Sequence, residues 1–211
     1  MFVVAASLAG VVSSTAASIH AQAQSVPPVV VQPAAPGQPG RAAAAKPGAP
    51  PAVSPADVTF MQGMIGHHAQ AIDMTALVDG HTTSKDMTLL AKRISVSQTD
   101  EIKSMQRWLE AHGQSVPGEH AHHMMMAEGH LMPGMLTEAE MSQLAAAKGV
   151  AFDRLFLQFM IKHHEGALVM VKELFASVGA AQDANVFAFA SDVDADQRME
   201  ISRMRAMLAS R

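Results

Sequence analysis

The residues best suited to chemistry in this chain occur as a phrase written twice. Residues 60–74 read FMQGMIGHHAQAIDM, and residues 156–170 read FLQFMIKHHEGALVM. At an offset of 96 they share Phe60/Phe156, Gln62/Gln158, Met64/Met160, Ile65/Ile161, His67/His163, His68/His164, Ala71/Ala167 and Met74/Met170, with Asp57/Asp153 just upstream. On a helix, residues three, four and seven apart share a face. Each copy therefore sets one His between two Met, with a small Ala beside it. Thioethers are soft ligands that select Cu(I), while imidazole accepts Cu(II), zinc and nickel. A His pair among methionines thus points to copper, as Cu(I), Cu(II) or both. Methionine usually fills gaps in a core, but core positions drift among apolar residues of similar volume. Retention of both His and both Met across diverged copies favours ligation. Adjacent His on one regular helix do not face a common point. Either one ligates while its neighbour packs, or the two serve different sites.

A second concentration of the same ligand types lies between the copies. Residues 112–135 read HGQSVPGEHAHHMMMAEGHLMPGM. They set His120, His122, His123 and His130 among Met124, Met125 and Met126, with Met132 and Met135 following. The interspersed Gly and Pro make this segment a loop rather than core. A His-rich tract reads as metal binding.

Composition removes most other chemistries. The 211 residues hold 17 Met, 11 His and no Cys. Disulfides, zinc thiolate sites and a Cys nucleophile are therefore excluded. A net charge of −4 gives no basic footprint for nucleic acid. The acids are dispersed, which counts against a hard-ion site. The helices carry none of the Glu-x-x-His pairs that di-iron bundles use. Walker A, G-x-G-x-x-G and G-x-S-x-G motifs are absent.

The doubled phrase must be carried by helices, and their punctuation is legible. Ser54 before Pro55, with Asp57 in the first turn, opens a first helix running to about Asp79 and stopping at Gly80. A second starts at Thr83 or Ser84 and ends at Gly113. Thr137 and Glu140 form a capping box for a short third helix ending near Gly149. A fourth covers about 151–178, and a fifth about 183–209. The second and fifth also repeat, at an offset of 99: Ala91/Ala190, Ile94/Val193, Gln98/Gln197, Glu101/Glu200, Ile102/Ile201, Met105/Met204 and Leu109/Leu208. Glu101, Glu200, Gln98 and Gln197 either fix a His tautomer or are ordinary polar residues of the helices. Two hairpin copies make an all-α four-helix bundle. Hairpin one is 54–112, the His/Met-rich crossover with its short extra helix 113–150, and hairpin two 151–209, within a helical unit 54–211.

Ahead of the bundle, residues 24–53 hold Pro at 27, 28, 33, 36, 39, 47, 50 and 51, the composition of a disordered or PPII-like tether. Residues 1–23 read as a signal peptide: an apolar stretch, FVVAASLAGVVSSTAA, then the cleavage pattern Ala21-Gln22-Ala23. No Lys or Arg follows Met1, and an uncleaved anchor is the alternative. Either way the domain is expected outside the cytoplasm, periplasmic or secreted, with no further membrane segment.

At the doubled MI-x-HH-x-x-A-x-x-M phrase the chain resembles the DUF305 family, over roughly residues 54–209. The segments Gly149–Leu157 (GVAFDRLFL) and Gln197–Leu208 also look like that family. The resemblance implies a ferritin-like helical bundle. Most members have no assigned activity, and some exported ones bind copper in copper tolerance. It thus implies an exported copper binder that buffers, sequesters or delivers the ion, and it supplies no enzyme activity. The expected ligands are His67, His68, His163 and His164 with Met64, Met74, Met160 and Met170, plus the crossover His and Met. Two other readings compete. One is an envelope structural or interaction module whose His pairs are packed polar core. The other is a metal-dependent oxidoreductase using the same site.

Overall fold

Ser54 caps the first helix. Its hydroxyl accepts the Ala56 amide at 3.1 Å, and Pro55 occupies the first turn, where no amide partner is needed. The computed structural model describes residues 29–32, 41–44, 53–118 and 131–210. The chain divides into two compact units, Met1–Ala49 and Pro50–Arg211. In the first, β1 (Val29–Gln32) pairs antiparallel with β2 (Arg41–Ala44), from Val29 opposite Ala44 to Gln32 opposite Arg41. The tether reading did not anticipate the ladder. The signal-like stretch and most of the tether lie outside the described residues.

The second unit is helical. It comprises α1 (Pro55–Ala76), α2 (Lys85–Ala111), α3 (Glu138–Ala146), α4 (Gly149–Ala176) and α5 (Ala184–Ala209). α1 packs on α2 and α4 on α5, and α1 meets α4 to join the two hairpins. This is the expected four-helix bundle of repeated hairpins, with α3 as the short helix of the crossover. Its capping box is present: Glu140 N donates to Thr137 Oγ1 at 3.2 Å, and Thr137 N donates to Glu140 Oε2 at 2.8 Å. α1 stops three residues before Asp79, because the chain turns through Leu77 and reverses at Gly80. Among the described residues no helix is long and apolar enough to cross a membrane.

The apolar core falls into two clusters at opposite ends of the bundle. One gathers Phe60, Met61, Met64 and Ile65 of α1, Met105, Trp108 and Leu109 of α2, Ala167, Met170 and Leu174 of α4, and Val186, Ala190 and Val193 of α5. The other gathers Ala71 and Met74, Met87, Leu90 and Ile94, Phe152, Phe156, Leu157 and Met160, and Met204, with Leu136 and Leu144 of the crossover. The doubled His pairs occupy the helix segments between them.

The crossover is fastened across the seam of α1 and α4. Gln70 of α1 grips one peptide: its Nε2 donates to Leu136 O at 2.9 Å, and its Oε1 accepts Leu136 N at 2.8 Å. On α4 the chain lies directly on Gly166. A Cβ there would stand 1.9 Å from Pro133 O, and one on Gly134 (φ +76°) would stand 2.7 Å from Gly166 Cα. Two glycines are required because two backbones touch.

Candidate metal centre

Four histidines from two helices meet in one fully buried layer. His67, His68, His163 and His164 are all at 0% exposure. His67 of α1 and His163 of α4 face each other across the hairpin seam, with ring centroids 3.9 Å apart and planes at 39°. The repeats therefore bring one histidine each to a single contact. Their neighbours turn away, as a regular helix requires. The His67–His68 and His163–His164 centroids are 6.4 and 6.2 Å apart. His68 turns toward α2, where its Nε2 lies 2.6 Å from Glu101 Oε2. His164 turns toward α5, where its Nε2 lies 2.6 Å from Glu200 Oε2. The repeat offset of 99 between α2 and α5 thus reproduces one His–Glu pair per hairpin. Glu101 and Glu200 orient histidines, which resolves the choice that spacing left open. Ser97 completes the first pair, its hydroxyl donating to Glu101 Oε1 at 2.9 Å.

These partners set the imidazole tautomers. A carbonyl or carboxylate oxygen accepts, so the facing ring nitrogen carries hydrogen. His67 Nε2 donates to Pro133 O at 2.9 Å, and His68 and His164 donate through Nε2 to glutamate. In His67, held neutral by burial, Nδ1 then keeps its lone pair, and in His68 and His164 Nδ1 does so when the ring is neutral. Among the described residues His67 Nδ1, His68 Nδ1, His164 Nδ1 and both nitrogens of His163 are buried without a hydrogen-bond partner. So are both amide atoms of Gln98 and Oε1 of Gln197. Buried polar atoms in native proteins are overwhelmingly satisfied, and each that is not costs about 1–3 kcal/mol. Such a concentration calls for an occupant with electron-pair acceptors, and a metal ion is one. A carboxylate behind the distal nitrogen of a histidine is the usual device for fixing a metal-binding ring.

The electrostatics keep the central rings neutral. The His67 pKa is lowered to about 3, by burial first and then by His68 and His164, against the bond to Pro133. His163 is held well below the ordinary histidine value, first by burial and then by His67, His164 and His68. Burial pushes Glu101 up, but the hydrogen bond and charge of His68, with Ser97, outweigh it and leave the carboxyl below its usual range. Neutral imidazole beside ionised carboxylate is the protonation state in which metal binds without first displacing a proton from nitrogen.

The methionines take separate places. Met64 and Met170 lie in one apolar cluster, and Met74 and Met160 in the other, so each cluster holds one of these repeated methionines from each copy. Among the described residues no three His, Asp or Glu side chains stand together at metal-binding spacing. The folded centre therefore presents a facing His pair flanked by two His–Glu pairs, rather than a closed carboxylate–histidine cage. His120, His122, His123, Met124, Met125, Met126 and His130 lie outside the described residues. Sequence reasoning missed the Pro133 carbonyl and the Gln70 clamp. Both are backbone matters, and the Met-Pro-Gly-Met run was their only trace in the sequence.

The profile of the family described as "Domain of unknown function (DUF305)" matches residues 57–208. Solved structures agree. A DUF305 fragment from Deinococcus radiodurans is 30% identical, with 75% of this chain and 99% of that chain covered and a TM-score of 0.62. A protein from Streptomyces coelicolor, described as a candidate secreted DUF305 protein, is 29% identical over 74% of this chain and 93% of that one, also at 0.62. CopM in its Cu(II)-bound form is 29% identical over 73% and 96%, with a TM-score of 0.56. CopM is also solved in Cu(I)-bound and Ag-bound forms, at 26% identity. Among curated proteins none matches the chain.

Proposed function

This chain belongs to the DUF305 family, and from that premise we propose that it is an exported copper-binding protein that buffers, sequesters or delivers the ion rather than transforming a substrate. The observation that carries this reading is the buried seam of His67 and His163, where His67 Nδ1 and both ring nitrogens of His163 lack hydrogen-bond partners among the described residues. Neutral imidazole suits both copper oxidation states. The low coordination numbers that Cu(I) accepts suit a facing pair better than they suit a cage. Copper here is cargo. His68 and His164, each braced by a glutamate, are the further ring donors. Met64, Met74, Met160 and Met170 are the soft donors nearest in sequence. The His/Met tract at 120–130 supplies a capture segment on composition alone. CopM, similar over nearly its whole length, is a protein solved with Cu(II), Cu(I) and Ag, which supports the same cargo here. The signal-like residues 1–23 and the relative described as a candidate secreted protein support export.

Anaerobic titration of Cu(I) against a chromophoric chelator tests the reading. The full chain is compared with His67→Gln/His163→Gln and with a chain lacking residues 119–130. Stoichiometric binding lost in the His variant supports the bundle centre. Binding lost only in the deletion moves the function to the crossover. No competition with the chelator by any form retires copper. The absence of a three-residue His/Asp/Glu cluster among the described residues favours a second reading, in which the His layer is packed polar core of an envelope module. That reading has His67→Gln/His163→Gln change melting and leave metal binding alone.

A further inference from the structure

A groove of about 350 Å³ runs between α2 and α5. Its walls include Asp100 and Glu101 of α2 and Asp192 and Asp196 of α5. The acids of the two helices converge. The Asp196 carboxyl is pushed above its ordinary value, first by burial and then by Glu101, Glu200 and Asp192, against Arg93. Arg93, Lys103 on Asp100 at 3.1 Å, and Arg107 on the wall residue Ser104 at 2.9 Å offset part of this charge, and the acids remain in excess. Glu101 faces two ways. It lines the groove, with its side chain 18% exposed, and it holds the fully buried ring of His68 at 2.6 Å. Glu200, 10% exposed, holds His164 at the same distance. The histidine layer therefore meets the surface through these carboxylates, and through none of its four rings. One turn earlier on each helix, Gln98 and Gln197 are buried, and Oε1 of each has no hydrogen-bond partner. Polar atoms thus accompany the two glutamates inward. The larger groove over the α1–α4 seam, about 730 Å³, is different: Glu173 is its one charged wall residue among those described. There Met132 lies over Gly63, where a Cβ would stand 3.2 Å from its Sδ, and Pro133 O sits on His67.

We propose that the groove between α2 and α5 is the entrance by which a metal cation reaches the buried histidine layer, with Asp192 and Asp196 steering it from solvent and Glu101 receiving it beside His68. The proposal rests on the copper-binding reading and adds the route. A cleft lined by one sign of charge focuses the field and raises the arrival rate of the opposite charge by about 10–10³, an effect that salt removes. Steering acts on charge alone, so oxygen ligands serve it even for an ion that imidazole finally holds. Among the described residues no three His, Asp or Glu side chains stand at metal-binding spacing. The acids therefore attract a cation without caging it, as an entrance requires. Glu101 ends the path because it already touches the ring that the ion meets next.

Stopped-flow mixing of the full chain with Cu(II) in a non-coordinating buffer reads the rate of entry, followed by the fluorescence of Trp108, the single tryptophan. The phase that belongs to the buried centre is the one missing from His67→Gln/His163→Gln. At low ionic strength Asp192→Asn/Asp196→Asn should slow that phase about tenfold, the lower end of what such focusing supplies. Dissociation into excess chelator should keep its rate, because rim charges act on association. Asp192 is exposed, so Asp192→Lys leaves the packing alone and should slow entry more than Asp192→Asn does. Added salt should bring the unaltered chain and the variants together. Glu173→Gln, in the larger groove, should change nothing. Equal association rates in the unaltered chain and the Asp192 and Asp196 variants would overturn the entrance and leave the copper reading standing. So would an effect confined to dissociation, or slowing by Glu173→Gln alone. An unaltered chain with no His-dependent phase would retire both.

Discussion

At the scale of single residues, the centre depends on which nitrogen of each ring carries the proton. Glu101 and Glu200 hold Nε2 of His68 and His164 at 2.6 Å, so Nδ1 is the atom left to bind a metal in the neutral ring. Replacing both glutamates by Gln exchanges two acceptors for groups that also donate, and the rings lose their fixed tautomer. Loss of such a supporting partner costs about 10–100-fold in metal affinity. Chelator competition with Glu101→Gln/Glu200→Gln should show a fall of that size at unchanged stoichiometry; unchanged affinity would place the metal away from His68 and His164. Acid should act on the same residues. His67 and His163 have folded pKa values below the unfolded value near 6.5, and His67 sits at about 3. Between those values the unfolded chain binds more protons than the folded one, so this contribution to stability is present above the unfolded pKa and is lost as pH falls toward 3. Melting temperature of the metal-free chain should therefore drop across pH 6.5 to 3. The drop should be shallower in His67→Gln/His163→Gln, and equal slopes in the two proteins would refute the assignment.

At the scale of elements, two hairpins would leave the histidine layer open at their seam without the crossover. The chain from Met132 to Leu136 closes it with its backbone, through Pro133 O on His67, Leu136 on Gln70 and Gly134 on Gly166, and the buried Leu136 side chain adds to the core. Gly166→Ala would drive a methyl into Pro133 O, which a packed backbone cannot yield cheaply. Overpacking of this kind costs about 1–3 kcal/mol and occasionally more. Urea unfolding should show a loss at the upper end of that range, with His67 losing its bond to Pro133. Gln70→Leu tests the other fastening, since it leaves both buried polar groups of Leu136 without this partner, each at about 1–3 kcal/mol. A change under 0.5 kcal/mol in either variant would mean that the crossover rests on the bundle without fastening to it.

At the scale of the whole molecule, the bundle is its own compact unit, Pro50–Arg211. Among the described residues, its two apolar clusters and its polar layer are built from that unit. Removing residues 1–49 should therefore leave the midpoint of thermal unfolding and the copper stoichiometry unchanged, within the roughly 0.5 kcal/mol expected of changes away from packed features. A large shift, measured by circular dichroism, would show that the first unit contributes to the second.

The sequence alone determined the helices and their pairing, because both rest on local signals. Ser54, Thr137 and the glycines after the first four helices mark the ends, and the two offsets, 96 and 99, mark the repeated hairpin. The same signals singled out His67, His68, His163 and His164, since a His pair retained twice within an apolar phrase is hard to explain by packing. Periodicity cannot say which pairs touch across a seam. That His67 meets His163, while His68 and His164 turn to glutamates in their own hairpins, was decided by how the hairpins dock. The placement of Met132 was likewise invisible, because it depends on a missing side chain at Gly63 and on a crossover pressed against Gly166. Long-range contact and backbone approach are properties of the packed chain, and spacing along the sequence carries no record of them.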